Sequence, residues 1–129
     1  MLATGAVLVL VLTVDILQRW LNRSDLERIQ GRWKVVSWVT AGRAVPHLEE
    51  RYCIFKGGKM QYLEGNEDYW LDEDHQPGRF DLGTRFGIYE LSGDSLRICV
   101  DMDPMLGDRP TAFESKPGSN YFLWVLQRE

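Results

Sequence analysis

The block Gly93-Asp94-Ser95-Leu96 carries the plainest chemical suggestion in the chain. A serine in that tetrapeptide is the nucleophile of one class of esterases. That chemistry needs the serine on a strand-to-helix turn, beside a base and an acid that orients the base. Here the tetrapeptide lies between two strand-like runs, Gly87 to Leu91 and Leu96 to Val100. Both histidines, His47 and His75, precede Ser95, and no D-x-x-H follows it. A hairpin turn at Gly93-Asp94 accounts for the block without catalysis.

Acidic residues are the next candidates, since hard cations prefer carboxylate oxygens. Glu64, Glu67, Asp68, Asp72, Glu73 and Asp74 crowd one stretch, and Asp101, Asp103 and Asp108 form a second group. Neither fits a calcium loop. Counted from Asp101, the required glycine position is Leu106 and the twelfth is Ala112. Counted from Asp72, those positions are Pro77 and Gly83. Solvated charges on an exposed hairpin and loop are the expected reading.

His47, His75, Cys53 and Cys99 complete the inventory of soft ligands. No two of them are closer than six residues, which matches no zinc spacing. Cys53 and Cys99 fall in strands expected to be far apart in sheet order. They are expected as two free thiols that behave as small apolar residues. No metal, cofactor or catalytic residue is expected, and the chain is read as non-catalytic.

The elements that must hold these residues are short. Ile16, Leu17, Trp20 and Leu21 form an apolar stripe at helical spacing. Ser24 with Glu27 three residues on is a capping-box pattern, so a short helical turn is expected from Asp25 to Ile29, ended by Gly31. Strands are then expected at Trp33–Thr40, Tyr52–Lys56, Lys59–Leu63, Asp68–Leu71, Arg79–Leu82, Arg85–Leu91, Ser95–Val100 and Tyr121–Arg128. Breaks are expected at Gly42-Arg43 and Gly65-Asn66, and Thr111–Glu114 is a further short piece that could pair. Strands recurring every 8–12 residues or so, with turn signals between them, suggest a sandwich or barrel. No long helical pattern interrupts them, which excludes parallel crossovers. The expected fold is therefore all-β: a small antiparallel up-and-down barrel of about eight strands, preceded by an apolar and helical N-terminal segment. Residues 1–24 form that segment, and residues 25–129 form the barrel domain.

Gly31-Arg32-Trp33 opens the first strand directly after the helical turn, and Arg128 ends the last. If the meander closes, these two strands become neighbours. Trp33 and Arg128 then form a barrel-closing pair, a guanidinium stacked on an indole. The pair resembles the lipocalin arrangement, in which a G-x-W on the first strand is covered by an arginine from the last.

A wider resemblance rests on several segments. Asp25 to Ser37 (DLERIQGRWKVVS), Phe80 to Leu82, Gly87 to Cys99 (GIYELSGDSLRIC), Arg109 to Phe113 (RPTAF) and Leu126-Gln127-Arg128 are similar to an uncharacterised lipocalin-like domain family of planctomycete bacteria. The resemblance leaves the first 24 residues uncovered. It implies a fold and carries no substrate, cofactor or catalytic residue.

Function follows from fold and composition. Fifteen Lys and Arg against nineteen Asp and Glu give a net charge of -4, which weighs against a nucleic-acid binder. Fourteen aromatics fall between Trp33 and Trp124. They could line a lumen that holds a small apolar ligand. Eight-stranded barrels can also be filled by their own side chains, and short loops favour that here. The reading is a non-catalytic lipocalin-like module with a mostly filled barrel, acting as an interaction or structural domain on an unidentified protein partner. The alternative is binding of a small apolar molecule in the lumen. Met1 to Val14 is an apolar run too short for a bilayer span and poor as a signal peptide. Membrane association through residues 1–21, export and a cytoplasmic location all stay open.

Overall fold

Ser24 opens the first element of the computed structural model, which describes residues 23–103 and 107–129. The Ser24 hydroxyl accepts the Glu27 backbone N–H at 3.3 Å and stands 3.2 Å from the Glu27 carboxylate. This cap starts helix α1, Asp25–Ile29. The apolar run Met1 to Val14 and the stripe Ile16, Leu17, Trp20 and Leu21 lie outside the described residues. Among the described residues, no helix is long and apolar enough to cross a membrane.

Nine strands follow among the described residues. They are β1 (Gly31–Thr40), β2 (Arg43–Ala44), β3 (Tyr52–Lys56), β4 (Lys59–Tyr62), β5 (Gly65–Asp72), β6 (Gly78–Leu82), β7 (Arg85–Ser92), β8 (Ser95–Asp101) and β9 (Tyr121–Arg128). Every pairing is antiparallel. Each strand from β3 onward bonds to the next in sequence, and β9 returns to β1. The result is a closed eight-stranded barrel, with β2 as a two-residue hairpin arm on β1. Closure leaves no long unpaired edge, which is the physical gain of the arrangement.

Three local expectations change. Arg43 joins β2 rather than the break, because the turn is made by Ala41 and Gly42, both at positive φ. Gly65 and Asn66 begin β5 rather than ending a strand. Gly65 takes an inward position beside the Tyr62 ring, and the turn falls at Leu63-Glu64. Thr111–Glu114 makes no strand. Its part of the chain serves instead as an outer strap.

That strap is the part of the connection from β8 to β9 described from residue 107 onward. Arg109 reaches Asp81 Oδ1 at 2.6 Å and the Gly87 carbonyl at 2.7 Å. The Cys99 thiol donates to the Glu114 carbonyl at 3.4 Å, and Arg97 lies over the Phe113 ring at 4.1 Å. Ile88 and Cys99 pair across β7 and β8 and face away from the lumen, yet both are buried. The main core excludes them. They form a small second apolar layer under the strap.

The main core fills the barrel. Trp33, Cys53, Phe55, Met60, Phe80, Leu82, Leu96, Ile98, Val100 and Leu126 are all buried. They occupy alternate strand positions, as the pleat requires. A bulge on β1 interrupts this alternation. Val35 pairs with Leu126 but Ser37 pairs with Val125, so Val36 is the extra residue. Trp38 therefore lies opposite the inward Trp124 rather than on the outer face.

Candidate functional site

One end of the barrel is sealed by α1. Ile29 is fully buried, and the Trp33 indole N–H donates to its carbonyl at 2.8 Å. The Tyr89 hydroxyl donates to Asp25 Oδ2 at 2.6 Å, and the Asp25 N–H donates to Glu73 at 2.7 Å. Tyr69 donates to the Gly57 carbonyl at 2.7 Å and receives a bond from Gln30 at 3.0 Å. Gly78 lies inward opposite Tyr89, where any Cβ would collide with the ring. Glycine there is what lets Tyr89 reach the helix. Burial, then the bond to Asp25, pushes the Tyr89 hydroxyl well above its ordinary pKa. Burial raises Tyr69 as well, against a lowering bond from Gln30.

Trp33 and Arg128 meet at this end. They are register partners across β1 and β9, and the Arg128 guanidinium carbon lies 4.3 Å from the Trp33 ring centroid. Arg128 also donates to the Gln30 carbonyl at 3.0 Å and to the Arg28 carbonyl, and lies 3.3 Å from Asp94. A surface cleft of about 600 Å3 borders Arg28, Gln30, Asp94 and Arg128. Those Arg128 contacts use the cleft's charge for structure: they tie the end of α1 to β9 and to the β7–β8 turn.

The opposite end has a different character. Trp38, Tyr62, Glu67, Arg85, Phe122 and Trp124 all take inward positions there, read from the pairing register. Trp124 makes edge contacts with Trp38 at 5.4 Å and Tyr62 at 5.2 Å, and a tilted contact with Phe122 at 5.0 Å. Arg85 Nη1 lies 3.1 Å from Glu67 Oε1, and the Tyr62 hydroxyl donates to Glu67 Oε2 at 3.2 Å. The Arg85 and Glu67 side chains remain 26% and 31% exposed, so solvent reaches this end. Burial, then the Glu67 charge, raises the Tyr62 pKa, with Arg85 pulling the other way.

Three nitrogens in this cluster are buried without a hydrogen-bond partner: Trp38 Nε1, Trp124 Nε1 and Arg85 Nε. Buried polar groups are nearly always paired, so three donors together are unusual. Sequence reasoning missed these residues. Glu67 was expected among solvated acids, but it faces inward and pairs with Arg85. The period-2 alternation of β5 in Glu67, Tyr69 and Leu71 was the available signal. Trp38 gave none, because the bulge that turns it inward is invisible in the pattern.

The other sequence candidates stay apart. Ser95 starts β8, with Ser92 and Gln127 as its register partners. His75 stands 3.3 Å from Asp72 on the β5–β6 turn, and His47 lies in the loop before β3. Asp68 pairs with Lys59 on the outer surface at 2.5 Å. Asp101 departs from the expected solvated acid: it is 6% exposed and accepts the N–H groups of Asp103 at 2.9 Å and Asp108 at 3.2 Å. It organises the start of the strap. No cluster of three or more His, Cys, Asp or Glu suited to a metal occurs among the described residues. Cys53 and Cys99 are free and buried, Cys53 facing the lumen and Cys99 the strap. Burial pushes the Cys99 thiol up to about 11, and raises Cys53 further.

No family model, curated protein or solved structure matches the chain.

Proposed function

We propose that this chain is a non-catalytic, lipocalin-like module whose barrel is mostly filled and which acts as an interaction or structural domain. The observation that carries the reading is the interior itself. From α1 to the level of Ile98, the lumen is taken up by Trp33, Phe55, Met60, Phe80, Leu96 and Leu126, each with at most 1% of its surface exposed. Interiors packed this way leave little room for a second apolar body. The closed meander, the helical turn at one end and the Trp33–Arg128 stack support a lipocalin-like assignment. The resemblance to the planctomycete lipocalin-like domain family rests on the segments around Trp33, Gly87–Cys99 and Arg128.

The test is a titration with a fluorescent fatty-acid analogue, followed through tryptophan quenching. The expected result is no saturable binding below about 1 μM, or roughly -8 kcal/mol. Saturable binding tighter than that would favour an apolar ligand in the lumen. Hydrolysis of a p-nitrophenyl ester that disappears in Ser95→Ala would revive the esterase.

A further inference from the structure

We infer that the barrel end opposite α1 is a shallow binding site for a small planar ligand that carries a hydrogen-bond-accepting oxygen, a carboxylate or carbonyl. The site lies above the filled core, so it goes beyond the proposed function and does not require an open lumen.

The argument begins with the donors. Trp38 Nε1, Trp124 Nε1 and Arg85 Nε belong to one inward-facing cluster, and none has an acceptor. Trp124 is 2% exposed, so its N–H has been withdrawn from water without compensation. All three unpaired groups are donors. The nearby acceptor, Glu67, is already engaged by Arg85 and by the Tyr62 hydroxyl. The unmet demand is thus for an acceptor.

The walls set the rest of the ligand. Trp38, Tyr62 and Phe122 pack around Trp124 at centroid separations of 5.0 to 5.4 Å, so the unpaired indole donors are set among aromatic rings. A flat body matches such a surface better than a flexible chain. The Arg85–Glu67 pair is internally neutral, so the site admits either an uncharged carbonyl or a single carboxylate. The unpaired groups are all donors, so a cationic head would add a further donor where an acceptor is wanted.

Access comes from the partial exposure of Trp38, Tyr62, Glu67 and Arg85, in contrast with the fully buried ring at the α1 end. The bulge at Val36 places Trp38 in this ring, so the sequence spends one extra residue on the arrangement. Bulges of this kind commonly re-aim a side chain at a site.

The test uses benzoate and benzamide as probes, with toluene as a flat control lacking an acceptor. Indole N–H resonances are followed in proton–nitrogen spectra of the full chain. Benzoate and benzamide are expected to move the Trp38 and Trp124 signals saturably, with a Kd of about 1 mM, while Trp33 and Trp70 stay still. Toluene is expected to move none. Trp38→Phe keeps a ring but loses the donor, and should weaken benzamide about fivefold. If Trp38→Phe loosens the barrel, Arg85→Lys keeps a charge facing Glu67 without the Nε–H and should show the same loss. Absence of saturable shifts up to about 10 mM overturns the inference, as do equal shifts with toluene. So does unchanged benzamide affinity in both variants. Tight lumen binding of the fatty-acid analogue would overturn the filled barrel and leave these outcomes readable.

Discussion

Arg128 lies over Trp33 with its guanidinium carbon 4.3 Å from the ring centroid, at the register position where the last strand meets the first. The same side chain reaches the carbonyls of Arg28 and Gln30. One residue thus joins the closing strand, the opening strand and the helix that caps them. Arg128→Ala should lower stability by roughly 1–3 kcal/mol, through lost stacking, lost stem packing and two stranded carbonyls. Arg128→Lys should recover only part, since the planar fork is gone. Urea midpoints check both, and an unchanged midpoint for the alanine variant would remove the pair from any role in closure.

Alkaline pH should destabilise the fold. Burial raises the folded-state pKa of Cys53, Cys99, Tyr62, Tyr69 and Tyr89. The unfolded groups titrate near 9.0 for Cys and 10.0 for Tyr. Below those values both states are protonated and the stability is intact. As pH rises through them, the unfolded chain releases protons that the folded chain holds, so stability falls. The urea midpoint should be flat from about pH 7 to 8.5 and drop above about pH 9. Tyr89→Phe should reduce that drop while costing about 1 kcal/mol at neutral pH for the bond to Asp25.

Both thiols should be unreactive in the folded protein. Cys53 and Cys99 are buried, and their pKa values are raised, so little thiolate forms at pH 8. A colorimetric thiol reagent should register two thiols only after unfolding, with no reductant added. Rapid reaction of Cys99 alone in folded protein would mean that the strap opens readily.

The ion pair at the end opposite α1 should be coupled. Arg85 and Glu67 are about a quarter to a third exposed, which discounts their attraction relative to a fully buried pair. Arg85→Gln and Glu67→Gln should each cost about 1 kcal/mol, and the double variant less than the sum. A double-mutant cycle by urea unfolding reads the difference. Strict additivity would show that the two charges act independently.

The bulge should depend little on the side chain that it carries. Val36 is 45% exposed, so Val36→Thr should change stability by no more than about 0.5 kcal/mol. Deleting Val36 would place Ser37 directly after Val35, still outward opposite Val125, and leave Trp38 inward opposite Trp124 in a plain ladder. A cooperative transition is the expected result for the deletion, and loss of cooperative unfolding would show that the bulge itself is needed for the barrel to close.

Much of this architecture is legible in the chain itself. Glycine-marked turns at Gly57-Gly58 and Gly93-Asp94 define hairpins locally, because two-residue connections leave neighbouring strands no other partner. A run of such hairpins determines strand order without any long-range information. Gly31-Arg32-Trp33 and Arg128 likewise announce the helix-capped end, since each sits beside a recognisable boundary. The rest required the closed barrel. Strand pattern does not report a bulge, so Trp38 could not be placed inward from its neighbours Val36 and Val39. Glu67 looked solvated because acids surround it in sequence, and Arg85 reaches it from β7 only because the β6–β7 turn after Leu82 lies beside β5. Cys99 and Ile88 face outward on their strands and are buried solely because the β8–β9 strap returns over them. Hairpin order is a local property of turns, whereas which side of the sheet meets water depends on register and on what the distant chain covers.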